Sequence, residues 1–280
     1  MKTLFVVLLV LAAALLAVFG VWVLLLSCRR DHPAWPKLRQ YRYAHRGYHQ
    51  KPTVPENSMA AFRAAVERGW GAELDIHLMK DGNLAVIHDS SLLRTAGTDV
   101  QIEDLTKADL ANYNLEESFE HIPLLEHVLA VFEGRTPLII ELKPQGGNQD
   151  ALCEAAAKML DKYTGDYCIE SFDPRVLRWF RKHRPQVCRG QLAENFLDAD
   201  HTGLSRFLEF VLTNLLMNIA ARPDFIAYRF EDRHGASPRL CRAVWKPVAV
   251  SWTIRTPEDM RTAEEEGRLV IFEQFSPEAP

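Results

Sequence analysis

Two hydrophobic patterns divide this chain. From Leu4 to Leu26 every position is apolar or small, with no charged or strongly polar residue. As a helix rising about 1.5 Å per residue, the run is roughly 34 Å long, enough to cross a bilayer. From residue 41 onward, short β-branched or aromatic runs alternate with amphipathic stretches. That alternation predicts βαβ units and a parallel sheet. Strands are expected near Tyr41–His45, Ala72–His77, Leu138–Lys143, Tyr167–Phe172, Cys188–Ala193, Phe225–Phe230, Val248–Ile254 and Leu269–Gln274. Helical periodicity covers 58–68, 124–133, 149–162, 174–183, 203–221, 238–244 and 257–266. Asn57 is placed to cap the first of these, whose apolar face is Ala61, Phe62, Ala65 and Val66. Thr256-Pro257-Glu258-Asp259 starts the last with a cap, a proline and acids in the first turn. Eight strands with intervening helices predict an α/β fold, a closed (β/α)8 TIM barrel.

One apolar run breaks the alternation. Leu84–His88 follows the second strand after only Lys80-Asp81-Gly82-Asn83. A parallel crossover needs about ten or more residues, whereas Asp-Gly signals a hairpin. Leu84–Asp89 should therefore return antiparallel and bring His88 back towards Glu73 and Asp75. Residues 90–121 are polar and turn-rich, with a short helix expected at Lys107–Ala111, and read as a small insertion over the barrel mouth. The stretch 203–221 is unusually apolar and predicts a long outer helix with one face towards a membrane.

The expected organisation is an N-terminal transmembrane anchor at 1–28, a linker at 29–40 and a barrel domain at 41–280 with its insertion at about 90–121. The apolar run is longer than the ~7–15 residues of a signal-peptide core, which favours an uncleaved single-pass anchor. Leu25-Leu26-Ser27-Cys28 loosely resembles a lipoprotein cleavage box, the alternative reading. Lys2 precedes the span, while Arg29, Arg30, Lys37, Arg39 and Arg42 follow it. The positive-inside rule then puts the barrel in the cytoplasm, although a long domain can be exported against that bias.

Charge and cysteines remove other classes. A net charge of −4 argues against nucleic acid as a partner. The 5 cysteines are scattered, odd in number and never spaced C-x-x-C, which argues against a disulfide framework or a zinc site.

The candidate chemistry sits at the ends of the predicted strands, in His45-Arg46-Gly47, Glu73-Leu74-Asp75, His88-Asp89 and Glu141-Leu142-Lys143. Residues i and i+2 of a strand share a face, so Glu73 points with Asp75 and Glu141 with Lys143. Three carboxylates offer hard oxygen ligands suited to Mg²⁺ or Ca²⁺. Arg46 supplies a fork and Lys143 a point charge for an anionic substrate group. Histidine is the side chain whose ordinary range lies near neutrality, so His45 and His88 suit general acid and base work. Taken singly, each of these residues is more often a rim ion pair or a structural histidine. Their recurrence at successive strand ends carries the case. His77 is left as a structural histidine that could support a ligand from behind.

In order and spacing, His45-Arg46-Gly47, Pro55-Glu56-Asn57-Ser58, Glu73-x-Asp75, Lys80-Asp81-Gly82, His88-Asp89, Leu93-Arg94-Thr95, Ile122-Pro123-Leu124 and Glu141-Leu142-Lys143 resemble the glycerophosphodiester phosphodiesterase family. The resemblance implies a TIM barrel with an insertion after His-Asp, and hydrolysis of glycerophosphodiesters to glycerol 3-phosphate and an alcohol with a divalent metal. It implies Glu73, Asp75 and Glu141 as metal ligands, His45 and His88 as the acid–base pair, and Arg46 and Lys143 as phosphate contacts. Glu56 would sit beside the metal or orient Arg46, and Trp252 would line the glycerol pocket. The chain departs from the family near its end. Where many members carry Thr-Asp-x-Pro, it reads Ile271-Phe272-Glu273-Gln274-Phe275, which leaves the pocket lip open. A lysophospholipase D-like activity is the related alternative, and the polar insertion leans against it. A non-catalytic membrane-tethered binding module would be expected to have lost a ligand or a histidine. A glycosidase barrel would leave His45-Arg46-Gly47 and Lys143 without a role.

Overall fold

The strands are β1 (Tyr43–Ala44), β2 (Gly71–Leu78), β3 (Leu84–Val86), β4 (Leu138–Leu142), β5 (Tyr167–Ser171), β6 (Arg189–Ala193), β7 (Phe225–Arg229), β8 (Val248–Ile254) and β9 (Leu269–Phe272). All but β3 pair in parallel, in the order β1-β9-β8-β7-β6-β5-β4-β2. Tyr43 of β1 lies opposite both Gly71 of β2 and Ile271 of β9, which closes the ring. This computed structural model describes residues 1–198 and 203–277; residues 278–280, the end of the expected barrel domain, lie outside them. The (β/α)8 architecture is the expected one. So is the hairpin: β3 runs antiparallel to β2, with Val86 opposite Ile76.

The main helices are α1 (Lys2–Leu25), α2 (Met59–Glu67), α3 (Leu125–Phe132), α4 (Gln149–Leu160), α5 (Pro174–His183), α6 (Arg206–Thr213), α7 (Ala236–Trp245) and α8 (Pro257–Glu265). The apolar faces of α2, α3, α4, α5 and α8 pack on the outside of the barrel, where Phe62, Leu125, Phe132, Leu152 and Phe180 are buried against strand residues such as Leu74 and Ile140. A second cluster fills the barrel interior, with Tyr43, Ile139, Cys168, Leu192 and Phe225. A Cβ on Gly190 would lie 2.0 Å from the Phe225 ring, so only glycine admits that ring.

Four local expectations are corrected. Ser58, not Asn57, caps α2, its hydroxyl accepting from Ala61 N; Asn57 takes a left-handed φ of 53° and turns its side chain inwards. The long helix expected over 203–221 is broken. After α6 the chain turns through Leu215 (φ 58°) into a helical turn at Asn218–Ala221. The break buries Leu215 beside Leu26, Cys28 and Cys241, so tertiary burial prevails over helix propensity. The short helix expected at Lys107–Ala111 is a 3₁₀ turn at Asp109–Asn112. The insertion carries its own apolar cluster, with Leu92, Ile102, Leu105, Leu110 and Leu115 buried together with Ala85 and Ile87.

Residues 29–40 are packed where a linker was expected. Arg29 pairs with the buried Asp224, and Trp35 and Leu38 close the bottom of the barrel. The Trp35 ring meets Phe225 edge-on at 5.2 Å, and Tyr43 Oη donates to Leu38 O at 2.8 Å. Trp35→Ala should therefore lower unfolding stability by about 3–5 kcal/mol, the usual cost of truncating a buried large aromatic. Urea denaturation of the detergent-solubilised chain measures it. An unchanged midpoint would mean that the segment is peripheral.

Candidate active site

Barrel enzymes carry their chemistry at the C-terminal ends of the strands, and here the polar residues inside the barrel gather at that end. Glu73 and Asp75 of β2 and Glu141 of β4 are buried there, with one oxygen from each lying within 4.8 Å of the others. Strand register makes the cluster. Asp75 lies opposite Glu141, and Glu141 opposite Glu170 of β5. Glu170, which the sequence reading passed over, is thus a fourth buried carboxylate. Its only signal was its place near the end of a strand.

Each acid is tied differently. Arg46 N donates to Glu73 Oε2 at 3.0 Å. Asn57 Nδ2 donates to Asp75 Oδ2 at 2.8 Å. Lys143 Nζ lies 2.8 Å from Glu141 Oε1 and 3.2 Å from Asp75 Oδ1, the latter without hydrogen-bond geometry. Glu170 Oε2 is buried with no hydrogen-bond partner. Burial, then the charges of Asp75, Glu141 and Glu170, push the Glu73 carboxyl well above the usual range. Burial, then Glu141 and Asp75, push Glu170 up in the same way. Burial also opposes ionisation of Asp75, but Lys143, His88 and Arg46 outweigh it and hold that carboxyl well below its usual range. A group of buried oxygens that repel one another, two of them unsatisfied, fits a hard divalent cation.

The two histidines flank this group. His45 follows β1, and its Nδ1 lies 2.7 Å from Glu273 Oε2. Burial opposes ionisation of Glu273, yet the hydrogen bond to His45 and the nearby His49 ring, 3.6 Å away, hold it well below the usual range. The Glu273 carboxylate must therefore accept, and His45 Nδ1 donates. His45 Nε2 is then left facing Glu73 Oε2 at 3.9 Å. Burial pushes the His45 imidazole down to about 4, against that same hydrogen bond. His88 Nδ1 lies 2.6 Å from Asp89 Oδ1, and Asp89 also holds Arg94. His77 bridges Glu103 and the His88 carbonyl, fixing the backbone from behind.

Glu56 lies beside Arg46, accepting from its guanidinium at 2.8 Å while also binding Arg94 and Lys51. Against burial, Arg94, Arg46 and Lys51 hold Glu56 at about 2. Arg46 Nε remains buried without a hydrogen-bond partner. His45, Arg46, Glu73, His88, Glu141 and Trp252 line one cavity of about 130 Å³. The Trp252 ring meets Phe172 edge-on at 5.6 Å and, with Leu192 and Ile271, makes the apolar wall. All nine sequence-predicted site residues thus lie in or beside one mouth. Asn57, Glu170 and Glu273 are additional.

A model of the glycerophosphoryl diester phosphodiesterase family matches residues 45–272. A glycerophosphodiester phosphodiesterase of Bacillus altitudinis is 34% identical over 170 residues, covering 57% of this chain and 67% of that protein. A human lysophospholipase D is 34% identical over 125 residues, 40% of this chain and 38% of its own. An Oleispira antarctica phosphodiesterase, solved in complex with the product sn-glycerol-3-phosphate, superposes with a TM-score of 0.70 at 20% identity, over 88% of this chain and 95% of that one.

Proposed function

Because this chain belongs to the glycerophosphoryl diester phosphodiesterase family and is thereby a phosphodiesterase, we propose that it hydrolyses glycerophosphodiesters to glycerol 3-phosphate and an alcohol with a divalent metal, Mg²⁺ or Ca²⁺. The observation that carries this reading is the meeting of three buried carboxylates and two carboxylate-bound histidines around one cavity. Glu73, Asp75 and Glu141 would hold the metal, with Glu170 beside Glu141 in the same cavity. When bound, the ion supplies Lewis-acid charge to the phosphoryl oxygen.

The chain's own residues do the rest. Arg46, whose Nε has no hydrogen-bond partner, and Lys143 bind the phosphate oxygens. Glu56 holds Arg46 in place from one side. His45 is the general base. Its Nδ1 is committed to Glu273, and its buried ring is neutral, so Nε2 takes the proton of the nucleophile, either water or the substrate's 2-hydroxyl, in which case a cyclic phosphate forms and water then opens it to glycerol 3-phosphate. His88, more exposed and bound to Asp89, is the general acid. As the phosphorus–oxygen bond to the alcohol breaks, His88 gives that oxygen its proton. Trp252 lines the glycerol pocket.

The same site would process a lysophospholipid, and the apolar wall of Phe172, Leu192, Trp252 and Ile271 favours this second reading. Parallel assays separate the two: glycerol 3-phosphate from glycerophosphocholine, and lysophosphatidic acid from lysophosphatidylcholine. The first product is expected, and failure to release either from the folded chain overturns the catalytic reading.

We also read α1 as an uncleaved single-pass anchor with the barrel on the cytoplasmic side. None of its residues is buried, whereas Leu26, Ser27 and Cys28, which follow it, are buried within the barrel's outer layer. Cys28 Sγ lies 3.5 Å from Cys241 Sγ, a position that disfavours the lipoprotein alternative.

A further inference from the structure

The anchor joins the barrel at a particular end. Along α1 the first residue that is not exposed is Gly20. Trp22 Nε1 then donates to Ser237 Oγ at 3.2 Å. Farther on, Cys28 touches Cys241, and Arg30 donates to the carbonyls of Val244 and Trp245. Trp22 thus meets the first turn of α7, the Trp245 ring at its last residue reaches back to donate to Val23 O at 2.8 Å, and Arg29 N donates to Pro223 O, just before β7 at the bottom. In this barrel α7 begins just after the C-terminal end of β7, at the mouth, and ends at the bottom. The exposed part of α1 therefore projects beyond the mouth. From Lys2 to Val21 it would extend roughly 30 Å at 1.5 Å per residue, a bilayer's hydrocarbon thickness. Trp22, apolar with one polar tip, falls where interfacial aromatics lie.

The rim beside that exit is apolar. Beyond the C-terminal end of β6, α6 exposes Phe207 (77%) and Phe210 (48%) to solvent. Asn214 Oδ1 accepts from Ser237 Oγ, the hydroxyl to which Trp22 donates. Anchor, α6 and the start of α7 meet at that one group. Across the mouth, in the insertion after β3, Leu93 is 59% exposed beside Arg94, which binds Glu56 and Asp89. Adjacent exposed aromatics continuous with a membrane-spanning helix fit a lipid surface better than water.

We propose that the mouth of the barrel faces the bilayer crossed by α1, with Phe207 and Phe210 in the lipid interface on one side and Leu93 on the other. This orientation stands on the placement of α1, α6 and the insertion, without the catalytic assignment. If the assignment also holds, substrate enters from the membrane surface.

The full chain, reconstituted in phosphatidylcholine vesicles, tests this with an environment-sensitive thiol probe at Phe207→Cys, Leu93→Cys or Glu133→Cys. The described native cysteines are all buried. Glu133 is exposed between α3 and β4, at the bottom of the barrel. Spin-labelled lipid should quench the probe at positions 207 and 93 at least about fivefold more than at 133, and aqueous iodide should do the reverse, as expected for apolar side chains lying within the headgroup boundary. Lipid quenching at 207 but not 93, or at neither, overturns the proposal. Because the readout needs no turnover, an inactive protein with both rim positions quenched would fail the catalytic reading and leave this one standing.

Discussion

Replacing Glu73 with alanine should reduce release of glycerol 3-phosphate from glycerophosphocholine by at least about 10³-fold, and EDTA should do the same to the unsubstituted chain. The size follows from the several kcal/mol of charge stabilisation that a bound metal supplies, at about 1.4 kcal/mol per tenfold in rate. Glu73 carries the effect because it completes the set of three buried carboxylates and is also fixed by the Arg46 amide. Without a cation, burial and mutual repulsion favour the protonated form of Glu73 and Glu170. Binding of Mg²⁺ or Ca²⁺ should therefore release protons, and affinity should rise with pH. Calorimetry in buffers of different ionisation enthalpy reads that release independently of turnover. Activity that survives both EDTA and Glu73→Ala would remove the metal from the reaction.

The second large effect is expected at His45 and its partner. His45→Ala and His88→Ala should each lower kcat by at least about 10²-fold. Glu273→Ala should fall nearly as far as His45→Ala, because the lost carboxylate sets the tautomer that leaves Nε2 free. The double variant should fall little further than His45→Ala alone, since residues acting as a unit are not additive. Glu273→Gln, whose amide oxygen can still accept from Nδ1, should recover part of the loss. KM should change much less than kcat in this series. Full activity in Glu273→Ala would show that the contact is only structural. Glu273 lies in the stretch that departs from the family pattern, and on the proposed reading that departure supplies the carboxylate that orients His45.

Periodicity made much of the barrel and site legible. Alternation of apolar runs with amphipathic stretches marked the eight parallel strands, and Asp81-Gly82 marked the hairpin that returns His88. The two-residue spacing of Glu73 and Asp75 put both on one face, and motif order brought in the remaining site residues. These are local signals, set by how a side chain alternates along its own strand or helix. Pairing register and ring closure depend on residues far apart in sequence, so no local pattern reports them. Register placed Glu170 beside Glu141. Closure of β9 onto β1 brought Glu273 to His45. The left-handed turn at Asn57 sent to Asp75 a side chain that looked like a cap. Residues 29–40 and the break at Leu215 were likewise decided by burial against distant elements. The sequence by itself determined which elements form and which faces carry charge; the tertiary structure alone decided which charges meet, because their meeting is a property of pairing across the ring.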